Sequence, residues 1–186
     1  MRMDPTTGES AAEWVARADT KEIAHVLWVF GEERFSRRIA RAIVEARSTQ
    51  PIQTTAQLGK IISDAQPIKD HNKHPATRAF QAIRLHINGE LTEVEQGLNA
   101  AINRLDIGGR LAVISFHSLE DRLVKRALRD ASRPPRGDPR MPLPENLTKS
   151  KLRLVGKAIK AGPEELQMNP RARSAVLRVA ERTEAA

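Results

Sequence analysis

The sequence has no cysteine and no tyrosine, and its 186 residues include only two tryptophans and four phenylalanines. Without cysteine there is neither a disulfide framework nor a thiolate-bound metal. No apolar run approaches the ~20 residues of a membrane-spanning helix, and no cationic-then-apolar leader opens the chain. A cytoplasmic setting fits these absences. No GxGxxG or Walker turn is present. No nucleophile elbow surrounds Ser115 or Ser118. His71 and His74 stand close together, but no carboxylate lies at ligand spacing, so no metal site is expected.

What is present bounds the protein from the other side. Apolar residues make up 40% of the chain, enough for a real core, and the length suits one domain, or one domain plus a small insertion. The net charge is +8. It is uneven, because residues 131–186 hold 12 Lys/Arg against 6 Asp/Glu. A basic end of this kind fits a polyanionic partner such as nucleic acid. A plain basic protein with no such role has the same composition.

Helix signals fill the first half. Ser10-x-x-Glu13 and Asp19-x-x-Glu22 read as N-terminal caps, with Gly31 as a stop. Glu32 and Glu33 are expected to open a third helix, with Arg37, Arg38, Arg41 and Arg47 later in it. Acid first and base last suits the helix dipole, and RNA contact is the other reading of those arginines. Thr54 or Thr55 caps a fourth helix that ends at Pro67. From Pro75, apolar residues recur at helical spacing as far as Leu105, as one helix or as two in series with a kink at Asn88-Gly89. Trp28, amid Val26, Leu27, Val29 and Phe30, is expected in the core.

The most informative stretch is Gly108-Gly-Arg-Leu-Ala-Val-Ile-Ser-Phe-His-Ser-Leu-Glu-Asp-Arg122. It reads as turn, buried strand, polar loop and helix, with Ser118-x-x-Asp121 as the cap pair. Loops at strand carboxyl ends carry sites in doubly wound sheets. The side chains of Ser115, Phe116, His117 and Ser118 can donate, accept and stack on a flat ring; an ordinary connection is the alternative. Beyond it lies a Pro/Arg loop at about 131–150. Strands are then expected over Leu152–Ile159 and Ser174–Ala180, forming an antiparallel pair. Arg133, Arg136, Arg140, Arg171 and Arg173 are candidates for phosphate contact. Phe116 and Trp14 are candidates for stacking on a base. Arg78 and Arg84 are further RNA candidates that could instead pair with local carboxylates.

Four separated motifs carry a resemblance. They are Met1-Arg-Met-Asp-Pro5, His74-Pro-Ala-Thr-Arg-Ala-Phe-Gln-Ala-Ile-Arg84 with Asn88-Gly-Glu90, Gly109 to Arg122, and Asn169-Pro-Arg-Ala-Arg-Ser-Ala-Val-Leu-Arg178. In this order they resemble the MraW-type ribosomal RNA small-subunit methyltransferase H family. The resemblance implies S-adenosylmethionine-dependent methylation of a cytidine N4 in 16S rRNA of the small ribosomal subunit. It implies an α/β fold, the C-terminal part of a class I (Rossmann-like) methyltransferase sheet with an inserted all-helical substrate domain. On that pattern residues 1–9 are an entry segment, 10–73 the helical insertion and 74–186 the return to the methyltransferase domain. The family's cofactor motifs precede its Met-Arg-Met-Asp segment and do not occur in these 186 residues. The chain is therefore expected to be a fragment that holds no cofactor-binding residue and is inactive alone. The alternative is a non-catalytic RNA-binding or ribosome-assembly module.

Overall fold

A computed structural model describes residues 1–4, 6–68, 74–134 and 149–183. It divides into two compact units, Met1–Glu90 and Leu91–Ala186. Residues 74–90 thus pack with the helices, although the family pattern groups them with the later part. No helix of the described residues is long and apolar enough to cross a membrane.

The first unit is all helical: α1 (Ala11–Arg17), α2 (Thr20–Gly31), α3 (Ser36–Thr49), α4 (Thr55–Ala65) and α5 (Thr77–Asn88). The predicted caps form. The Ser10 hydroxyl accepts from Glu13 N–H and the Glu13 carboxylate accepts from Ser10 N–H. Thr54 and Gln57 do the same for α4, and Asp19 caps α2. Each such cap satisfies N–H groups that a helix start otherwise leaves bare, about 1 kcal/mol apiece. The core collects Trp14, Ile23, Leu27, Ile39, Ile43, Ile62 and Ile83, all fully buried. Arg47 donates to the carbonyls of Val15 and Ala18, satisfying the end of α1. The opening segment is anchored as well: Asn88 Oδ1 accepts from Met3 N–H, and its amide donates to the Met1 carbonyl.

Three expectations change here. The third helix begins at Ser36, not at Glu32. Glu33 is instead buried in the turn before it, where its carboxylate accepts from Phe35 N–H and from the Gln66 amide. The left-handed residue ending α2 is Glu32 (φ 49°), not Gly31. Gly31 is small for another reason: a Cβ there would lie 2.8 Å from the Arg78 carbonyl oxygen and 3.1 Å from Ala82 Cβ. This is where α2 and α5 pack together. Gly31→Ala is therefore expected to destabilise this unit by about 1–3 kcal/mol, since the obstacle is backbone; chemical denaturation checks it. The third change is Trp28, which is 59% exposed rather than in the core.

The second unit holds α6 (Glu90–Arg104), β1 (Arg110–Ser115), α7 (Ser118–Ala131), β2 (Leu152–Leu154), β3 (Ile159–Lys160), α8 (Pro163–Met168) and β4 (Val176–Arg182). The long periodic stretch does break at Asn88-Gly89, where Gly89 adopts φ 62° as the cap of α5. β4 is the middle strand. It pairs antiparallel with β1 on one side and with β2 and β3 on the other. The expected strand over Leu152–Ile159 is split by a turn at Gly156 (φ 69°).

Helices α6 and α7 cover one sheet face. Leu98, Ile102, Val124 and Leu128 meet Leu152, Ala180, Leu111 and Val113 there. Among the described residues nothing covers the other face, with Ile114 at 58% and Ile159 at 56% exposure. The strand expected to be buried is thus covered on one side only, and its burial alternates residue by residue. A four-residue apolar run gives no sign of which face has a neighbour. At one end of the bare face Arg110 and Arg153 both pair with Glu181 and hold its carboxyl below the ordinary range.

Candidate functional site

The loop after β1 is built by its own side chains. His117 is the N-cap of α7: its Nδ1 accepts the Glu120 N–H at 3.3 Å. Glu120 reaches back and accepts the Phe116 N–H at 2.9 Å. This is a capping box displaced by one residue. With Nδ1 accepting, the ring proton sits on Nε2. That atom is buried and 3.1 Å from Glu120 Oε1, without hydrogen-bond geometry. The cap expected from Ser118 and Asp121 is therefore supplied by His117.

Asp121 has a different partner. Its two oxygens take Nε and Nη2 of Arg178 at 2.7 and 2.9 Å, a bidentate pair joining the first turn of α7 to β4. The arginine's hydrogen bonds hold the Asp121 carboxyl below its usual range, and the aspartate raises Arg178 in turn. Ser115 is buried beneath this pair, its Oγ 3.5 Å from Asp121 and 3.4 Å from the Val176 carbonyl. Arg178 escaped the sequence reading. The signal was its place in β4 opposite Val113, on the covered face, where a charge demands a partner.

Two groups sort out of the four loop candidates. Ser115 and His117 turn inward and hold the loop. Phe116 is 56% exposed, and Ser118 is exposed at the first turn of α7. Register adds a second element. Val176 lies opposite Ser115, so the tight 3-10 turn Pro170–Ser174 before β4 sits at the carboxyl end of β1. Its Arg171 and Arg173 are exposed. One end of the sheet thus collects an exposed aromatic ring, a hydroxyl and two cations, which can stack on a base and hold phosphates.

The other candidates lie elsewhere. Trp14 is fully buried, and its indole N–H donates to Glu22, so its ring has no face to offer. Arg133 follows the end of α7, about 20 Å of helix from the loop. Arg136 and Arg140, with His71 and most of the Pro/Arg loop, fall outside the described residues. Arg84 is paired bidentately with Glu90, the structural alternative foreseen for it. Arg78 donates to the Glu32 carbonyl.

Comparison with known proteins adds an independent line. The sequence model of the MraW methylase family matches residues 1–183. A ribosomal RNA small subunit methyltransferase H from Stenotrophomonas maltophilia (strain R551-3) is 57% identical over 185 residues, covering 100% of this chain and 57% of the relative. The protein of that name from Xanthomonas axonopodis pv. citri (strain 306) is 58% identical over 182 residues, covering 98% and 53%. That from Pseudoalteromonas atlantica is 57% identical over 185 residues, covering 98% and 59%. The chain spans somewhat more than half the length of these relatives.

Proposed function

The chain belongs to the MraW methylase family, and from that premise we propose that it forms the substrate-side part of an enzyme methylating N4 of a cytidine in small-subunit ribosomal RNA. The observation that carries this reading is the exposed Phe116, held at the carboxyl end of β1 by the hydrogen bonds of His117 and Glu120 beside Arg171 and Arg173. In this reading the first unit, from residue 10 onward, is a helical insertion and the second is the end of a Rossmann-like sheet.

The exocyclic amine of cytosine is a weak nucleophile, because its lone pair is delocalised into the ring. Catalysis is then mostly a matter of holding the amine in line with the methyl group. The base must also be out of its stack to reach the site. Phe116 offers one face to the extruded ring. Ser118 supplies a hydroxyl at the base or ribose edge. Arg171 and Arg173 hold flanking phosphates. Ser115, His117, Glu120, Asp121 and Arg178 are positioning residues that fix the Phe116 backbone.

The methyl donor of such enzymes is S-adenosylmethionine, and the described Ser115–Ser118 turn is not shaped to cradle it. This turn has no glycine, and Ser115 Oγ and His117 Nδ1 are spent on internal hydrogen bonds. No residue of this chain is assigned to the cofactor. The bare sheet face around Ile114 and Ile159, and the β1 edge unpaired among the described residues, suit a surface that further chain covers.

The test is a transfer assay with labelled S-adenosylmethionine and unmethylated small subunits. Residues 1–186 alone are expected to transfer nothing above background. The same residues grafted in place of the matching part of the Stenotrophomonas relative are expected to transfer methyl groups at a rate near that relative's own. Robust transfer by the 186 residues alone would overturn the assignment of the cofactor site to other chain.

A further inference from the structure

The arginines at the start of α3 are not explained by that helix. Because α3 begins at Ser36, Arg37 and Arg38 stand in its first turn, where the dipole is positive and carboxylates are favoured. The first turn holds no acid, and Phe35 provides no side-chain cap. Arg34 precedes them and Arg41 follows one turn on; all four are exposed. Among the described residues none of Arg34, Arg37 and Arg38 has an ion pair, and Arg41 only reaches the Arg37 carbonyl at 3.4 Å. Concentrating cations here costs the free protein stability, and a bound anion relieves it.

Trp28 lies beside them. On α2 the residues Ile23, Val26, Leu27 and Gly31 face the core. Lys21, Ala24, His25 and Trp28 form the neighbouring stripe, so the indole is left outside. The two helices pack together, and their stripes meet in one open groove of about 900 Å³. Lys21, Trp28 and the four arginines line it, and no aspartate or glutamate does. An exposed aromatic ring among unpaired cations is the arrangement that takes a single nucleic-acid strand, with the ring stacking a base and the cations tracking the backbone.

We propose that this groove of the helical unit binds unpaired RNA, with a base stacked on Trp28 and adjoining phosphates on Arg34, Arg37, Arg38 and Arg41. It is a second RNA contact, made by residues other than the Phe116 loop, and it does not depend on methyl transfer. Its occupant is a strand rather than a duplex, because a paired base offers no free face to the indole. An acidic protein would use the cations but leave Trp28 without a role.

The experiment titrates the full 186-residue chain into a fluorescein-labelled 12-nucleotide single-stranded RNA, its duplex form and polyglutamate, at 50 and 200 mM salt. Wild type is expected to bind the single strand at least fivefold more tightly than either competitor. Trp28→Ala should weaken that binding about 10-fold, Trp28→Phe should retain most of it, and R37E/R38E should weaken it further and flatten the salt dependence. RNA should also quench the emission of wild type but not of Trp28→Phe, whose remaining tryptophan is the buried Trp14. Equal affinities of wild type and Trp28→Ala overturn the proposal. So does tighter binding of polyglutamate or of the duplex than of the single strand. Because the readout is binding, the outcome stands whether or not a grafted protein transfers methyl groups.

Discussion

Phe116→Ala, made in the grafted protein, is expected to cut methyl transfer to small subunits about 100-fold, the order of loss that follows when a reacting group is held about 1 Å out of place. The change removes no core contact, since the ring is more than half exposed. Thermal stability of the second unit should therefore move by less than about 0.5 kcal/mol. Phe116→Tyr keeps a flat ring and should retain most of the rate. The same loss of rate in Phe116→Ala and in Ser118→Ala, with no rescue by tyrosine, would contradict stacking as the role of residue 116. Steady-state rates at saturating and limiting subunit concentration separate a positioning loss from a binding loss.

The second large effect is on the loop's anchor. Asp121→Ala strands Arg178 on the covered face of the sheet, and Arg178→Met strands Asp121. Both side chains are under a quarter exposed, so each change is expected to cost about 1–2 kcal/mol. For a unit of this size that is a fall in Tm of roughly 5–10 °C. Arg178→Lys should recover little, because an ammonium cannot reproduce the two parallel bonds. The pair also gives stability a pH dependence of known sign. Asp121 ionises more readily folded than unfolded, so its contribution is complete above the unfolded carboxylate pKa of about 3.9 and is lost as pH falls through the lower folded value. Asp121→Asn should reduce the acid limb of a Tm-against-pH curve. Slow amide exchange at Phe116 in wild type, faster in Asp121→Ala, would link the anchor to the loop.

Much of this architecture is legible in the sequence because it depends on local chemistry. Ser10 with Glu13, Asp19, and Thr54 with Gln57 announce helix starts that form. Asn88-Gly89 announces a break that occurs. The β1 loop and its exposed Phe116 are likewise visible as a strand end followed by polar residues. What escapes depends on which face an element turns to a neighbour. Trp28 sits in an unbroken apolar run, where composition says core, yet it lies one step round the helix from Leu27 and outside the stripe. Trp14 is the opposite case: α1 is a short helix whose neighbours do not mark its buried side, and the indole is fully buried because α1 brings it to Glu22 of α2 and His86 of α5. The cap of α7 is hidden in the sequence because histidine is a rarer cap than serine or aspartate, and because Asp121 looks like a cap until Arg178 is seen across the sheet. The Glu32-Glu33 pair looked like a helix start for the same reason: acids favour that position, but here one ends α2 and the other is buried in the turn.

The central claim is that these residues form the substrate side of a site that methylates the exocyclic amine of a cytidine. Nucleoside analysis of small-subunit RNA treated with the grafted protein and labelled methyl donor tests it most directly. The label is expected in N4-methylated cytidine, and it is expected to fall about 100-fold in Phe116→Ala. Label recovered on a ring carbon, on a ribose oxygen or on a purine would contradict the claim.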